Sequence, residues 1–243
     1  LSSDWPRDQA SRGILLFDEL TAADRTLQVA AYEIILDRRL GDLYRLPDGW
    51  YVVAAGNREE DMAVATTMSS ALANRFMHVE LHESPPEWVR WGLQNNVHPT
   101  VLGFIRFRPD LLFHQENENL ERGWPTPRSW ERVSTLIHNF NISDRPELLD
   151  KLIYGLVGNQ AGVEFLAFRE ITTRFADTYE LMTNPQKKII IPEKPDQRYA
   201  FCAAVAYHLW RGNSEEEETA LLSGFYRIAM ALPSDFATML MMD

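Results

Sequence analysis

Along the first third of the chain, short unbroken apolar runs alternate with stretches in which apolar residues recur every three or four positions. The short runs suit strands buried on both faces of a parallel sheet, and the longer period suits helices packed against it. Ile14 to Phe17 is the first run, and two carboxylates, Asp18 and Glu19, follow at its end. Leu27, Ala30, Ala31, Ile34 and Ile35 then mark one face of a helix. Thr21 is placed to cap it, with Asp24 as a short form of the capping-box acid, and Gly41 to stop it. Leu43 to Leu46 with the turn Pro47-Asp48-Gly49 predicts a hairpin, and Trp50 to Ala55 a second buried strand that ends in Gly56-Asn57. Met68 to Phe76 predicts a short helix ending in Arg75, and Met77 to Leu81 a third strand.

From Glu83 onward the pattern is helical. Pro85-Pro86 opens one apolar segment, Val97 to Phe107 forms another, and Arg108-Pro109-Asp110 closes it. Trp88 and Trp91, three apart, share a helix face and are read as core between two domains. His114 to Gly123 is polar and acidic, a loop; Trp130 to Asn139, Leu148 to Leu156 and Val163 to Phe175 predict a helical lid. Asn184 to Pro195 reads as an extended arm or short edge strand, followed by amphipathic helices over Ala200 to Trp210 and Ala220 to Leu232. Ser214 and the acids Glu215 to Glu218 introduce the last of these, where negative charge complements the helix dipole. The expected organisation is an α/β core over 1–82, a helical lid over 83–182 and a helical extension over 183–243.

Composition narrows the function classes. With 243 residues, 45% hydrophobic and 24% charged, the chain reads as globular, and no apolar stretch approaches the roughly 20 residues of a membrane span. With no signal-peptide pattern at its start, it is read as cytoplasmic. Cys202 is the only cysteine, which excludes an internal disulfide and a cysteine-rich zinc site, and its small apolar neighbours favour a core position. The net charge of −11 argues against broad attachment to nucleic acid or anionic membrane and makes a protein partner the default. His78 and His82 could share one side of a strand, but no third ligand accompanies them.

The chemistry-bearing residues sit where strands end. In open α/β sheets ligands bind outside the carboxyl ends of strands, which is where Asp18 and Glu19 follow one run and Asn57 follows another. Taken singly, the acids could be helix caps, Asn57 a turn residue and Arg75 a solvated helix end. The order of the segments carries more than any one of them: strand with Asp-Glu, helix, hairpin, strand with Asn, short helix with Asn-Arg-Phe.

In that order the chain resembles the AAA+ ATPases, and among them the MoxR-type, dynein-related group. GILLFDEL looks like the Walker B strand, VVAAGN like the sensor 1 strand, ALANRF like the helix that carries the arginine finger, and GWPTPRS before Trp130 like the opening of the sensor 2 helix. The resemblance implies an AAA+ P-loop sheet whose N-terminal part is missing here, followed by an all-α lid. No G-x-x-x-x-G-K-[ST] occurs in these residues, so the phosphate loop is expected ahead of Leu1. It implies ATP and Mg2+ as cofactors. Asp18 would hold the metal, Glu19 would activate the attacking water, Asn57 would place that water and sense the γ-phosphate, and Arg128 would reach the phosphates from the lid. Arg75 would act on the nucleotide of a neighbouring subunit, which implies a homo-oligomeric ring, expected to be a hexamer, that remodels a protein client. A nucleic-acid motor on the same fold, disfavoured by the acidic balance, and an inactive scaffold are the alternative functions.

Overall fold

The computed structural model describes residues 5–57, 68, 70–115, 123–139, 145–175, 177–209 and 214–242. They divide into two compact units, Leu1–Leu81 and His82–Asp243. The chain is mixed α and β, with many helices and a two-stranded parallel sheet.

In the first unit β1 (Gly13–Phe17) leads through a 3-10 turn, Leu20–Ala22, into α1 (Arg25–Asp37). Then come β2 (Arg39–Leu40), β3 (Tyr44–Arg45), β4 (Trp50–Ala54) and α2 (Ser70–Ala73). β1 and β4 run parallel with Gly13 opposite Trp50 and Phe17 opposite Ala54. The register puts Leu15, Phe17, Val52 and Ala54 on one face, where they pack with Ala31 and Ile34 of α1. The other face is open: Ile14 is 66% exposed and Tyr51 77%, with Leu16 and Val53 beside them. The expectation of strands buried on both faces is therefore corrected: among the described residues the packing of the pair, against α1 with Tyr44, Leu46 and Leu72, lies on one face.

Local corrections follow from capping and turn chemistry. Asp24, not Thr21, caps α1: its Oδ1 accepts from the backbone N–H groups of Thr26 and Leu27 at 2.8 and 3.0 Å, an arrangement that contributes about 1 kcal/mol. The helix ends at Arg38, in the left-handed region with φ 55°, and not at Gly41. Gly41, φ 51°, instead turns the β2–β3 hairpin, so the strand partner of Tyr44–Arg45 is Arg39–Leu40 and Pro47-Asp48-Gly49 leads into β4. Leu27, expected on the buried face of α1, is exposed, and Gln28 is buried in its stead, donating to the carbonyls of Leu20 and Ala23. Met77 to Leu81 forms no strand, and Met77, Val79 and Leu81 are exposed.

The second unit is helical: α3 (Pro85–Gln94), α4 (Pro99–Phe107), α5 (Pro127–Asn139), α6 (Pro146–Thr173), α7 (Thr178–Thr183), α8 (Pro195–Leu209), α9 (Glu215–Ala229) and α10 (Ser234–Met241). Phe104 of α4 is the hub of its larger core, with ring centroids 5.2 Å from Trp130, 5.3 Å from Phe165 and 5.6 Å from Phe168. Gly103 allows α4 to lie against α8, since a Cβ there would stand 2.8 Å from that of Ala203. The two lid segments Leu148 to Leu156 and Val163 to Phe175 fall largely within a single run, α6, which breaks at Gly158, φ 78°. A second core holds Met182, Leu221 and Ile228 together with the buried thiol of Cys202. Ser214 caps α9, accepting from the N–H of Glu217, with the four acids in the first turn. Trp88 packs against the larger core, its ring 6.2 Å from that of the more exposed Trp91. Asn184 to Pro195 contains no strand. Residues 116–122 of the acidic loop and Trp210 lie outside the described residues.

Candidate functional site

Parallel pairing brings the carboxyl ends of β1 and β4 to the same edge of the sheet, and the chain beyond each strand is tied to the other. The N–H of Ala55 donates to the carbonyl of Phe17 and that of Leu20 to the carbonyl of Ala55, both at 2.9 Å. The Thr21 hydroxyl donates to the carbonyl of Asn57 at 3.1 Å. Gly56 is needed at this crossing, because a Cβ there would come within 2.5 Å of the Thr21 oxygen. Asp18 and Glu19 stand exposed at the tip, and Asn57 donates from Nδ2 to Oε2 of Glu19 at 3.3 Å.

Glu19 has φ 53° and ψ 39°, left-handed backbone that a non-glycine residue adopts at a cost of roughly 1–2 kcal/mol. The two strand-end bonds and the 3-10 turn that follows, in which Ala22 N–H donates to Glu19 C=O at 2.9 Å, hold it there. Strain of this kind concentrates where a side chain must be aimed. The amide of Asn57 fixes one carboxylate oxygen without adding charge and leaves the other open. Thr21 and Gly56 are the residues that pattern reading missed; the small residue directly ahead of Asn57 was the only signal for a close approach.

Asp18, Glu19 and Asn57 thus come together. Arg75 lies just past α2, its N–H donating to Leu72 O, and its guanidinium sits over the Tyr32 ring of α1, 5.5 Å from the centroid. Arg128 belongs to the other unit, exposed in the first turn of α5. Thr126 and Ser129 cap that turn reciprocally: each backbone N–H donates to the other's hydroxyl, at 2.7 and 3.0 Å.

The oxygen donors of Asp18, Glu19 and Asn57 suit a hard cation such as magnesium, which keeps much of its hydration shell and needs few protein ligands. Among the described residues no group of three or more His, Cys, Asp or Glu gathers to hold a metal. A glycine-rich phosphate cradle is not part of this sequence. No helix among the described residues is long and apolar enough to cross a membrane. No family model matches the chain, and neither a curated protein nor a solved structure matches it.

Proposed function

We propose that the unit Leu1–Leu81 carries the hydrolytic edge of an AAA+ ATPase of the MoxR type, working as a homo-oligomeric ring, a hexamer, on a protein client. What carries the reading is the contact between Asn57 and Glu19, which joins the ends of two parallel strands with an acid free to meet water. Asp18 would hold magnesium, and the metal, when bound, would neutralise charge on the ATP phosphates. Glu19 accepts the proton of the water that attacks the γ-phosphate, with Asn57 fixing the direction of its carboxylate. Arg128 steadies the phosphates, and Arg75 serves a neighbouring subunit. In phosphoryl transfer positioning and charge stabilisation supply nearly all of the acceleration, so misaiming Glu19 should appear in turnover more than in binding.

Asn57→Ala should therefore lower the ATP hydrolysis rate of the intact protein by about tenfold while KM for ATP stays within about twofold. Steady-state kinetics on the two proteins decides it. Unchanged hydrolysis in the variant, or no magnesium-dependent hydrolysis in the wild-type protein, would remove the assignment.

A further inference from the structure

The first unit carries a cleft of about 840 Å³ between the C-terminal end of α1 and the amino end of β4. Gly13 and Trp50 pair at this end of the strands, so the cleft lies away from Asp18, Glu19 and Asn57, which follow the carboxyl ends. Arg12, Arg38 and Arg75 line it against one acid, Asp48. The chain as a whole carries 35 Asp and Glu against 24 Lys and Arg, so the local balance of charge is the reverse of the global one.

Arg38 is the fixed member. Its Nη2 donates to the carbonyls of Pro47 and Trp50 at 2.6 and 2.8 Å, which holds the half-buried guanidinium at the entry to β4. Its Nε is, among the described residues, the one buried side-chain nitrogen or oxygen with no hydrogen-bond partner. A buried donor left unsatisfied is costly, and more so when it is charged, so the group points to an acceptor that would complete it. Neither Arg38 nor the exposed Arg12 forms an ion pair with a carboxylate among the described residues, and Asp48 stands exposed and pairs with neither.

Two partly buried rings, Trp50 and Phe76, line the same cleft. Trp50 is held by its indole N–H donating to Ser11 Oγ at 2.9 Å and by its ring against Gly13, where a Cβ would stand 2.8 Å away. Two guanidiniums without counter-ions match a doubly charged oxyanion, because the planar fork of arginine pairs with phosphate, and a fixed indole offers a face to a flat group. The volume is within the range of small-molecule sites.

We propose that this cleft binds a small aryl phosphate, with its dianion at Arg12 and Arg38 and its ring against Trp50. The site rests on Arg12 and Arg38 and not on Arg75, and it stands at the opposite end of the strands from the hydrolytic edge, so it is independent of the ATPase reading.

Phenyl phosphate is the probe, with inorganic phosphate and phenol as its two halves, each titrated into the 243-residue chain and followed by NMR. Phenyl phosphate should bind with a Kd of order 1 mM, and each half about tenfold more weakly. The signal of the Arg38 Nε–H should move as phenyl phosphate is added, because that donor gains an acceptor. Arg12→Gln should weaken phenyl phosphate about tenfold with the melting temperature close to wild type, and Asp48→Asn should strengthen it about twofold by removing a like charge. Absence of binding, either half binding as tightly as phenyl phosphate, or an Arg38 signal that stays in place would each overturn the proposal. So would an Arg12→Gln protein that binds phenyl phosphate as wild type does, or an Asp48→Asn protein that binds it more weakly.

Discussion

On the proposed function, Arg75→Ala should keep its affinity for ATP and lose about 10³ to 10⁵ in hydrolysis rate, the range associated with an arginine supplied across a boundary. The residue stands exposed beyond α2 with its guanidinium over the Tyr32 ring, a contact worth about 0.5–1 kcal/mol at an exposed site. Its charge matters chiefly in the transition state, where negative charge shifts over the transferring phosphoryl group, and so binding is spared. Glu19→Gln should give an equally inactive protein for a different reason, since the amide keeps the size of the side chain but cannot take the proton. A mixture of the two variants pairs intact Asp18 and Glu19 on one subunit with an intact Arg75 on the next. Hydrolysis by the mixture should exceed the sum of the separate proteins. A mixture that never exceeds that sum, at any ratio, would assign Arg75 to its own subunit or to a purely structural contact with Tyr32.

Trp130→Ala destabilises the second unit by about 3–5 kcal/mol. Trp130 is fully buried, its rings meet Phe104 and Phe165 at 5.2 and 5.4 Å, and its Nε1–H donates to the carbonyl of Leu111 at 2.7 Å. Truncation opens a cavity at the centre of the larger core and leaves that carbonyl without its donor. Trp130→Phe keeps most of the ring contact and should cost about 1–3 kcal/mol, so the pair of variants separates packing from the hydrogen bond. Urea unfolding followed by circular dichroism measures both. A loss below about 1.5 kcal/mol in the alanine variant would show that Phe104 and its neighbours close over the gap.

Helices of strong period were legible, and Pro85-Pro86 opens one as expected, but the expected starts at Val97, Trp130 and Ala200 miss the observed ones at Pro99, Pro127 and Pro195, the last of which was read as the end of an extended arm. The strands β1 and β4 were legible from apolar runs, since composition alone marks them. What covers a strand was not, because a run such as Ile14 to Phe17 reads identically whether one face or both are packed. Turn details failed for a related reason. Thr21 and Asp24 both carry capping chemistry, and tertiary contact decided between them when Asn57 offered Thr21 a carbonyl. Gly41 and Arg38 exchanged roles because the left-handed residue fell on arginine, whose guanidinium bonds to the Pro47 and Trp50 carbonyls and fixes the entry to β4. In the candidate site the residue types were legible, but the Asn57–Glu19 contact joins positions 38 apart and depends on strand register, which no local pattern specifies.

The open face of the β1–β4 pair also governs colloidal behaviour. Ile14, Leu16, Tyr51 and Val53 place contiguous apolar surface on a chain of net charge −11, so attraction between copies through this face works against their mutual repulsion. Salt shortens the reach of the repulsion to about 10 Å at 0.1 M and leaves the apolar attraction in place. Self-association of the chain should accordingly grow with ionic strength, the reverse of a complex held by opposite charges, and sedimentation at low and high salt reads the sign directly. Association that weakens as salt is added would mean that charge, not this face, draws the copies together.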